Sequence, residues 1–455
     1  MPKSLEQSLC NRSFLYSCIR NLLVRPAMHL YYKKIDVIGA DTVPDTGSVI
    51  FCPNHQNALM DALAVICAKD RQPVFVARAD IFHQQKGFIV DTLHSFRILP
   101  IYRKRDGGVS SDNNQETFDL ITKVLHSELA VGIMPEGTHN KYKRLQSLQK
   151  GVFRLAMQVQ EKFGATPMVK IIPVGLEYTN YYKFRSDLMV RFGEAIELSD
   201  FYDLYVENQA KAFKKMQDVL SEKMTAGMIN IVNEQYYTEI DILRVLYQRR
   251  MAQRAGLDIR NAEQRLLSQQ TIVFALQELA QTNPDEMSAL CLAVRNYFAI
   301  LEKHNLRDWV IERQPYCPAN LLGRSALALP GVPFWILGML FNYIPYKLSA
   351  FASRKVEDPQ FISSVQFVAS LVAFPVYYLI MTLLVVFLIP CIWGKLTMLA
   401  FAIPAGLFSF RYYISIKKLC ARFRFWLGKC RKSPDLLEAI DLRKGIFEKM
   451  DVRLP

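Results

Sequence analysis

Two residues in the first part of the chain have the types and spacing for proton transfer. They are His55 and Asp61, within Asn54-His55-Gln56-Asn57-Ala58-Leu59-Met60-Asp61. An imidazole takes a proton from an alcohol effectively when a carboxylate holds its ring in one tautomer and stabilises the imidazolium that forms. Asp61 is the nearest carboxylate able to do this. The apolar run Val49-Ile50-Phe51-Cys52 just before the pair reads as a buried strand. Asn57 is expected to cap a helix starting at Ala58, which would set Asp61 one turn inside it, facing back toward the loop of His55. The implied chemistry is general-base activation of a hydroxyl, and it requires no covalent enzyme intermediate.

The elements that must position this pair follow from the apolar pattern. From about residue 35 to 200, short apolar runs alternate with helix-like segments, the signature of an α/β domain. After Val49 come Val74-Phe75-Val76-Ala77, Ile98-Leu99-Pro100-Ile101, Val131-Gly132-Ile133-Met134, Ile171-Ile172-Pro173-Val174 and Leu188-Met189-Val190-Arg191-Phe192. Most are continuous rather than alternating, as in strands covered by helices on both faces. The expected fold class is therefore α/β, with a mostly buried mixed sheet flanked by helices. Between 201 and 320 the pattern turns to long helices. Phe213, Met216, Leu220 and Met224 share one face, and Asn283-Pro284-Asp285 ends one helix and starts another. The basic residues there, Arg249, Arg250, Arg254, Arg260 and Arg265, suit a solvated face as well as a lipid-facing one.

The last third reads as membrane. Val365 to Ile389 holds 25 residues without a charge, about 37 Å as a helix, enough to cross a hydrocarbon core of about 30 Å. A second apolar run, Leu396 to Phe410, follows a short turn, and 411–432 carries eight basic residues and no acidic one. That bias predicts a transmembrane hairpin whose ends stay cytoplasmic. The stretch 326–346 is apolar but contains Pro330, Pro333 and Pro345. It is expected to be re-entrant or interfacial, because a third full crossing would put the basic tail opposite residues 1 to 320. The divisions expected are an amphipathic interfacial segment 1–34, a catalytic domain 35–200, a helical region 201–320, a membrane region 321–432 and a cytoplasmic tail 433–455.

Composition agrees with a membrane surface as partner. The formal charge is +14, yet 51% of residues are hydrophobic and 12% aromatic, a pairing that suits anionic lipid better than nucleic acid. In the N-terminal segment, Tyr16, Leu22, Leu23, Leu30 and Tyr31 are set against Arg20, Arg25, Lys33 and Lys34, which suits a helix lying in the interface rather than a signal peptide. The nine cysteines show no Cys-x-x-Cys pair and no ligand set at metal spacing, so reduced thiols and no metal are expected.

Four ordered blocks within 35–200 resemble the glycerolipid acyltransferase family, which includes glycerol-3-phosphate and lysophosphatidate acyltransferases. They are Asn54-His55 with Asp61, Ile98-Leu99-Pro100-Ile101-Tyr102-Arg103, Met134-Pro135-Glu136-Gly137-Thr138, and Ile171-Ile172-Pro173-Val174-Gly175. The resemblance implies that His55 is the general base, that Asp61 orients it, and that the second and third blocks bind the acceptor's phosphate. Candidate binding residues are therefore Asn54, Arg103, Glu136, Gly137 and Thr138, with Lys150 as a further cation. A guanidinium fork at Arg103 matches a phosphate, and Thr138 offers a hydroxyl donor. The chain departs from the common pattern twice. Five residues separate His55 from Asp61, one more than in most members, as in a subset of glycerol-3-phosphate and dihydroxyacetone-phosphate acyltransferases. His139 and Asn140 follow Thr138, where arginine or serine is usual. Lys141, Lys143 and Arg144 are close enough in sequence to substitute.

The function expected is a multi-pass membrane O-acyltransferase with its catalytic domain on the cytoplasmic face. It would move a fatty acyl group from acyl-CoA or acyl-carrier protein, as co-substrate rather than cofactor, to glycerol 3-phosphate or a lysophospholipid. A lyso-aminolipid acceptor, or a non-catalytic lipid-binding protein on the same fold, are the alternatives.

Overall fold

The computed structural model describes residues 3–79, 87–101, 110–161, 168–388 and 390–454. The chain forms two compact units, one of residues 1–230 with 357–364, the other of 231–356 with 365–455.

The first unit is built on an eight-stranded mixed sheet. In chain order its strands are β1 Lys34–Ile38, β2 Ser48–Pro53, β3 Val74–Arg78, β4 Ile98–Ile101, β5 Ala130–Gly132, β6 Val169–Tyr178, β7 Asp187–Phe192 and β8 Ile196–Glu197. Across the sheet they run β1-β7-β6-β2-β5-β3-β4, with β8 beside β6. Strands β6, β2, β5, β3 and β4 are mutually parallel, while β7 runs antiparallel to β6. Parallel neighbours end on the same edge of a sheet, so β2, β4, β5 and β6 all finish there. The six expected strands are present, and β1, short and half-exposed, is one that apolar runs did not reveal.

Burial explains why β2 is central: all six of its residues are buried, as a strand covered on both faces requires. Ile50 and Cys52 pack into one core with Val124 and Leu125 of the Ser110–His126 helix, Phe153 and Met157 of Gly151–Gln160, and Met216 and Leu220 of Gln209–Thr225. Phe51 points to the opposite face, where its ring meets Phe192 at 5.7 Å. Gln209–Thr225 thus belongs to the sheet's core, although its polar-rich pattern placed it with the helical region. Gly175 in β6 has a packing reason: a Cβ there would lie 2.1 Å from the Gly227 carbonyl oxygen.

The N-terminal segment forms helices over Lys3–Leu9 and Phe14–Tyr31, the latter with a π-helical turn at Arg20–Val24. Tyr16, Val24, Met28 and Tyr31 are buried, while Phe14, Leu15 and Leu22 are exposed. Arg20, expected on the polar side, is buried as well, and the expected apolar side is divided, with Tyr16 and Tyr31 packed inward and Leu22, Leu23 and Leu30 outward.

In the second unit, helices Tyr237–Arg254, Ala262–Thr282, Pro284–Lys303 and Pro434–Arg453 pack together. Asn283 caps the helix that Pro284 opens, accepting from the Glu286 N–H. Several of the basic residues are used internally: Arg250 and Arg254 both pair with Asp451, and Arg249 with Glu312. The expected tail 433–455 is therefore largely a packed helix.

Among the described residues, three helical stretches are long and apolar enough to cross a membrane: Pro318–Lys355, Pro359–Leu388 and Ile392–Cys430. The region 326–346, expected to be re-entrant, lies within the first, so hydrophobic length does not set it apart from the other two. Its helix Val332–Ala352 packs tightly on Ile392–Cys430, with a Cβ at Gly338 calculated to fall 2.1 Å from the Ala405 carbonyl oxygen. Asn342 joins them by donating to the Ala402 carbonyl at 3.0 Å and accepting from the Tyr378 hydroxyl at 2.7 Å, the close approach and polar bonding typical of helices in lipid.

Candidate active site

The segment leaving β2 carries Asn54 to Asn57, and the helix Leu59–Ala68 brings Asp61 back to it. His55 Nδ1 lies 3.0 Å from Asp61 Oδ2. Between them Ala58 takes φ of 44° at the N-cap position. Asn57 does not cap the helix with its side chain. Asp61, in the first turn, reaches back instead to the loop before the helix, accepting from the backbone N–H groups of Gln56 at 2.8 Å and Asn57 at 2.7 Å. This resembles the return arm of a capping box. Its other oxygen accepts from the Tyr178 hydroxyl at 2.8 Å. Asp61 is 0% exposed, and burial followed by the Asp61 charge holds the Tyr178 phenol well above its usual range, keeping it a donor.

With Nδ1 directed at Asp61, the neutral ring keeps its lone pair on Nε2, the nitrogen that would accept a proton. The His55 side chain is 18% exposed, enough to meet a substrate without full solvation. Its backbone is tied on both sides to the segment after β5: the N–H donates to Glu136 Oε1 at 2.7 Å, and the carbonyl accepts from the Asn140 N–H at 3.1 Å. Gln56 donates to the Tyr142 carbonyl at 3.1 Å and accepts from the Tyr181 hydroxyl at 2.5 Å.

Two residues expected to bind substrate are positioned otherwise. Asn54 is buried, and its amide accepts from the Leu176 N–H at 2.6 Å and donates to the Leu176 carbonyl at 3.1 Å, lacing the end of β2 to β6. Glu136 is also buried, and its second oxygen accepts from the Gln146 N–H at 2.9 Å. Both carboxylate oxygens are thus spent on backbone. Burial pushes Glu136 up to about 7, against the pull of the Gln146 and His55 N–H groups. Gly137 has φ of 66°, the left-handed turn that glycine tolerates best. Thr138 donates its hydroxyl to the His139 carbonyl at 3.2 Å. Lys150 is exposed and occupies the N-cap of Gly151–Gln160. Arg103 lies outside the described residues. Lys143 is internal, 2.5 Å from Glu177, whereas Lys141 is exposed.

Tyr178, Asp358 and Phe361 were not singled out from the sequence, and His139 stood out there only as a departure from the family pattern. His139 packs edge-on against His55, the ring centroids 5.5 Å apart at 90°, and its Nε2 lies 2.9 Å from Asp358 Oδ2. Tyr178 ends a strand whose pairing puts it at the edge of β2, a relation visible only in register. Asp358 is 219 residues from His139, beyond any local signal.

A buried Asp61 holding His55 at the carboxyl edge of the parallel strands is a geometry able to do general-base chemistry. Residues 34–177 match the family model described as Acyltransferase, and this part of the chain is similar to glycerolipid acyltransferases of which it spans only a part. It is 26% identical over 216 residues to glycerol-3-phosphate O-acyltransferase 1 of Saccharomyces cerevisiae, covering 44% of this chain and 27% of that protein. It is 28% identical over 165 residues to mouse 1-acyl-sn-glycerol-3-phosphate acyltransferase alpha, covering 36% of this chain and 53% of that one. A solved structure of the 1-acyl-sn-glycerophosphate acyltransferase of Thermotoga maritima aligns with a TM-score of 0.35 at 16% identity, over 48% of this chain and 84% of that one.

Proposed function

We propose that this protein is a membrane-bound O-acyltransferase acting in glycerolipid synthesis. It transfers a fatty acyl group from a thioester, acyl-CoA or acyl-carrier protein, to the hydroxyl of glycerol 3-phosphate or a lysophospholipid. The observation that carries this reading is the 3.0 Å contact of His55 Nδ1 with a fully buried Asp61. His55 Nε2 takes the hydroxyl proton as the acceptor oxygen attacks the thioester carbonyl. The carbonyl then re-forms as the C–S bond breaks, and the proton passes to the leaving thiolate. Both yeast and mouse relatives are named for acceptors bearing a glycerol phosphate, which supports that acceptor class here. The proposed catalytic face is cytoplasmic, on the charge bias of 411–432.

The test is transfer of labelled acyl groups by purified full-length protein to glycerol 3-phosphate and a panel of lysolipids, including lyso-aminolipids. His55→Ala is expected to lose roughly a hundredfold to ten-thousandfold in rate. Undiminished transfer by that variant would remove the proposed base, and lipid binding with no transfer from any donor would favour a non-catalytic role.

A further inference from the structure

The segment Glu357–Ser364 belongs to the sheet's unit, whereas the chain on either side of it belongs to the other. What it does there is specific. Asp358 Oδ2 meets His139 Nε2 at 2.9 Å, and Asp358 Oδ1 accepts from the Gln360 N–H at 3.1 Å, so each oxygen of this carboxylate is fixed. Phe361 also packs edge-on against the imidazole, with ring centroids 4.9 Å apart at 88°. His139 thus touches both Phe361 and the His55 ring. A second tether runs from the Ser363 hydroxyl to Asn57 Oδ1, two residues from the base. We propose that Glu357–Ser364 is part of the active site and that Asp358 is a positioning residue, fixing through His139 the face of His55 so that its ring keeps the Asp61 contact.

Asn57 Nδ2, Gln360 Oε1 and Ser364 Oγ are buried at this contact with no partner among the described residues. Burial keeps His139 below its usual range despite the Asp358 hydrogen bond, so the ring beside the base is neutral when His55 becomes an imidazolium. Burial would raise Asp358, but the hydrogen bonds from His139 and Gln360 outweigh it and keep it ionised.

The inference rests on the acyltransferase reading, and its test separates the two. Full-length wild type, Asp358→Ala, Asp358→Asn and His55→Ala are compared in nanodiscs for acyl transfer, for melting temperature, and for the ring nitrogen resonances of ¹⁵N-labelled histidine. Asparagine keeps an oxygen able to accept from His139, so it should restore what alanine loses. Asp358→Ala is expected to lower kcat by roughly ten- to a hundredfold with unchanged melting and donor KM, while Asp358→Asn recovers most of the rate. The His55 resonances should move in the alanine variant and not in the asparagine one. Wild-type kcat in Asp358→Ala, or equal loss of rate and melting temperature in both variants, would overturn the positioning role. If the wild type transfers nothing, the acyltransferase reading fails. The His55 resonances then decide the positioning claim alone, and their constancy in Asp358→Ala would overturn it.

Discussion

At the scale of single residues, Asp61 serves three masters at once: the ring of His55, two backbone N–H groups and the Tyr178 hydroxyl. Orientation of the imidazole and closure of the loop are therefore the same interaction. Asp61→Asn presents an amide where an anion is needed and is expected to lower kcat by roughly a thousandfold to ten-thousandfold, read in the same transfer assay. Tyr178→Phe leaves one buried carboxylate oxygen without its donor. Its expected cost is about 1–3 kcal/mol of stability, measured by chemical denaturation, and a midpoint equal to wild type would contradict the bond. Glu136 makes a pH prediction. Its carboxyl sits at about 7 in the folded chain against an ordinary 4.5, so the fold binds this proton more tightly than the unfolded chain does. The stabilisation is complete below the ordinary value and is lost as pH rises through about 7. Glu136→Gln carries no such proton, so the wild-type melting temperature should fall more steeply than the variant's across that window.

At the scale of elements, the parallel run of β6, β2, β5, β3 and β4 does most of the positioning. It delivers the ends of four sequence-distant segments to one edge, where backbone and side-chain hydrogen bonds from Asn54, Glu136 and Asn140 lock the base loop. Their polar atoms are already used in these bonds, so they act through the loop's shape. Gly175 shows how tightly the elements meet. Gly175→Ala would drive a methyl into the Gly227 backbone, with an expected loss of about 1–3 kcal/mol in a denaturant titration. An unchanged midpoint would mean that the 227 turn can yield.

At the scale of the whole molecule, two candidate spans are joined by a segment that docks on the sheet's unit. Lys355 stands two residues before that segment, too short a stretch to cross a bilayer. A cysteine introduced at Lys355 in a background freed of native cysteines is expected to react, in sealed vesicles, from the same side as one introduced at exposed Lys141. Reaction from opposite sides would show that the docked segment does not form in the membrane.

Much of this was legible in the residues alone. The α/β class follows from continuous apolar runs, since strands covered on both faces need them, and His55 with Asp61 stands out because few residue pairs of those types fall at the end of such a run. The apolar lengths near the C-terminus likewise follow from composition, because a bilayer sets the length a helix must have. What only the tertiary structure decided is who occupies the polar atoms. That Asn54 and Glu136 face backbone, that Asn57 does not cap its helix, and that His139 finds its carboxylate at Asp358 depend on strand register and on a contact 219 residues apart in sequence. Local propensity is blind to such contacts, because the hydrogen bonds that determine these roles exist only once distant segments are packed side by side.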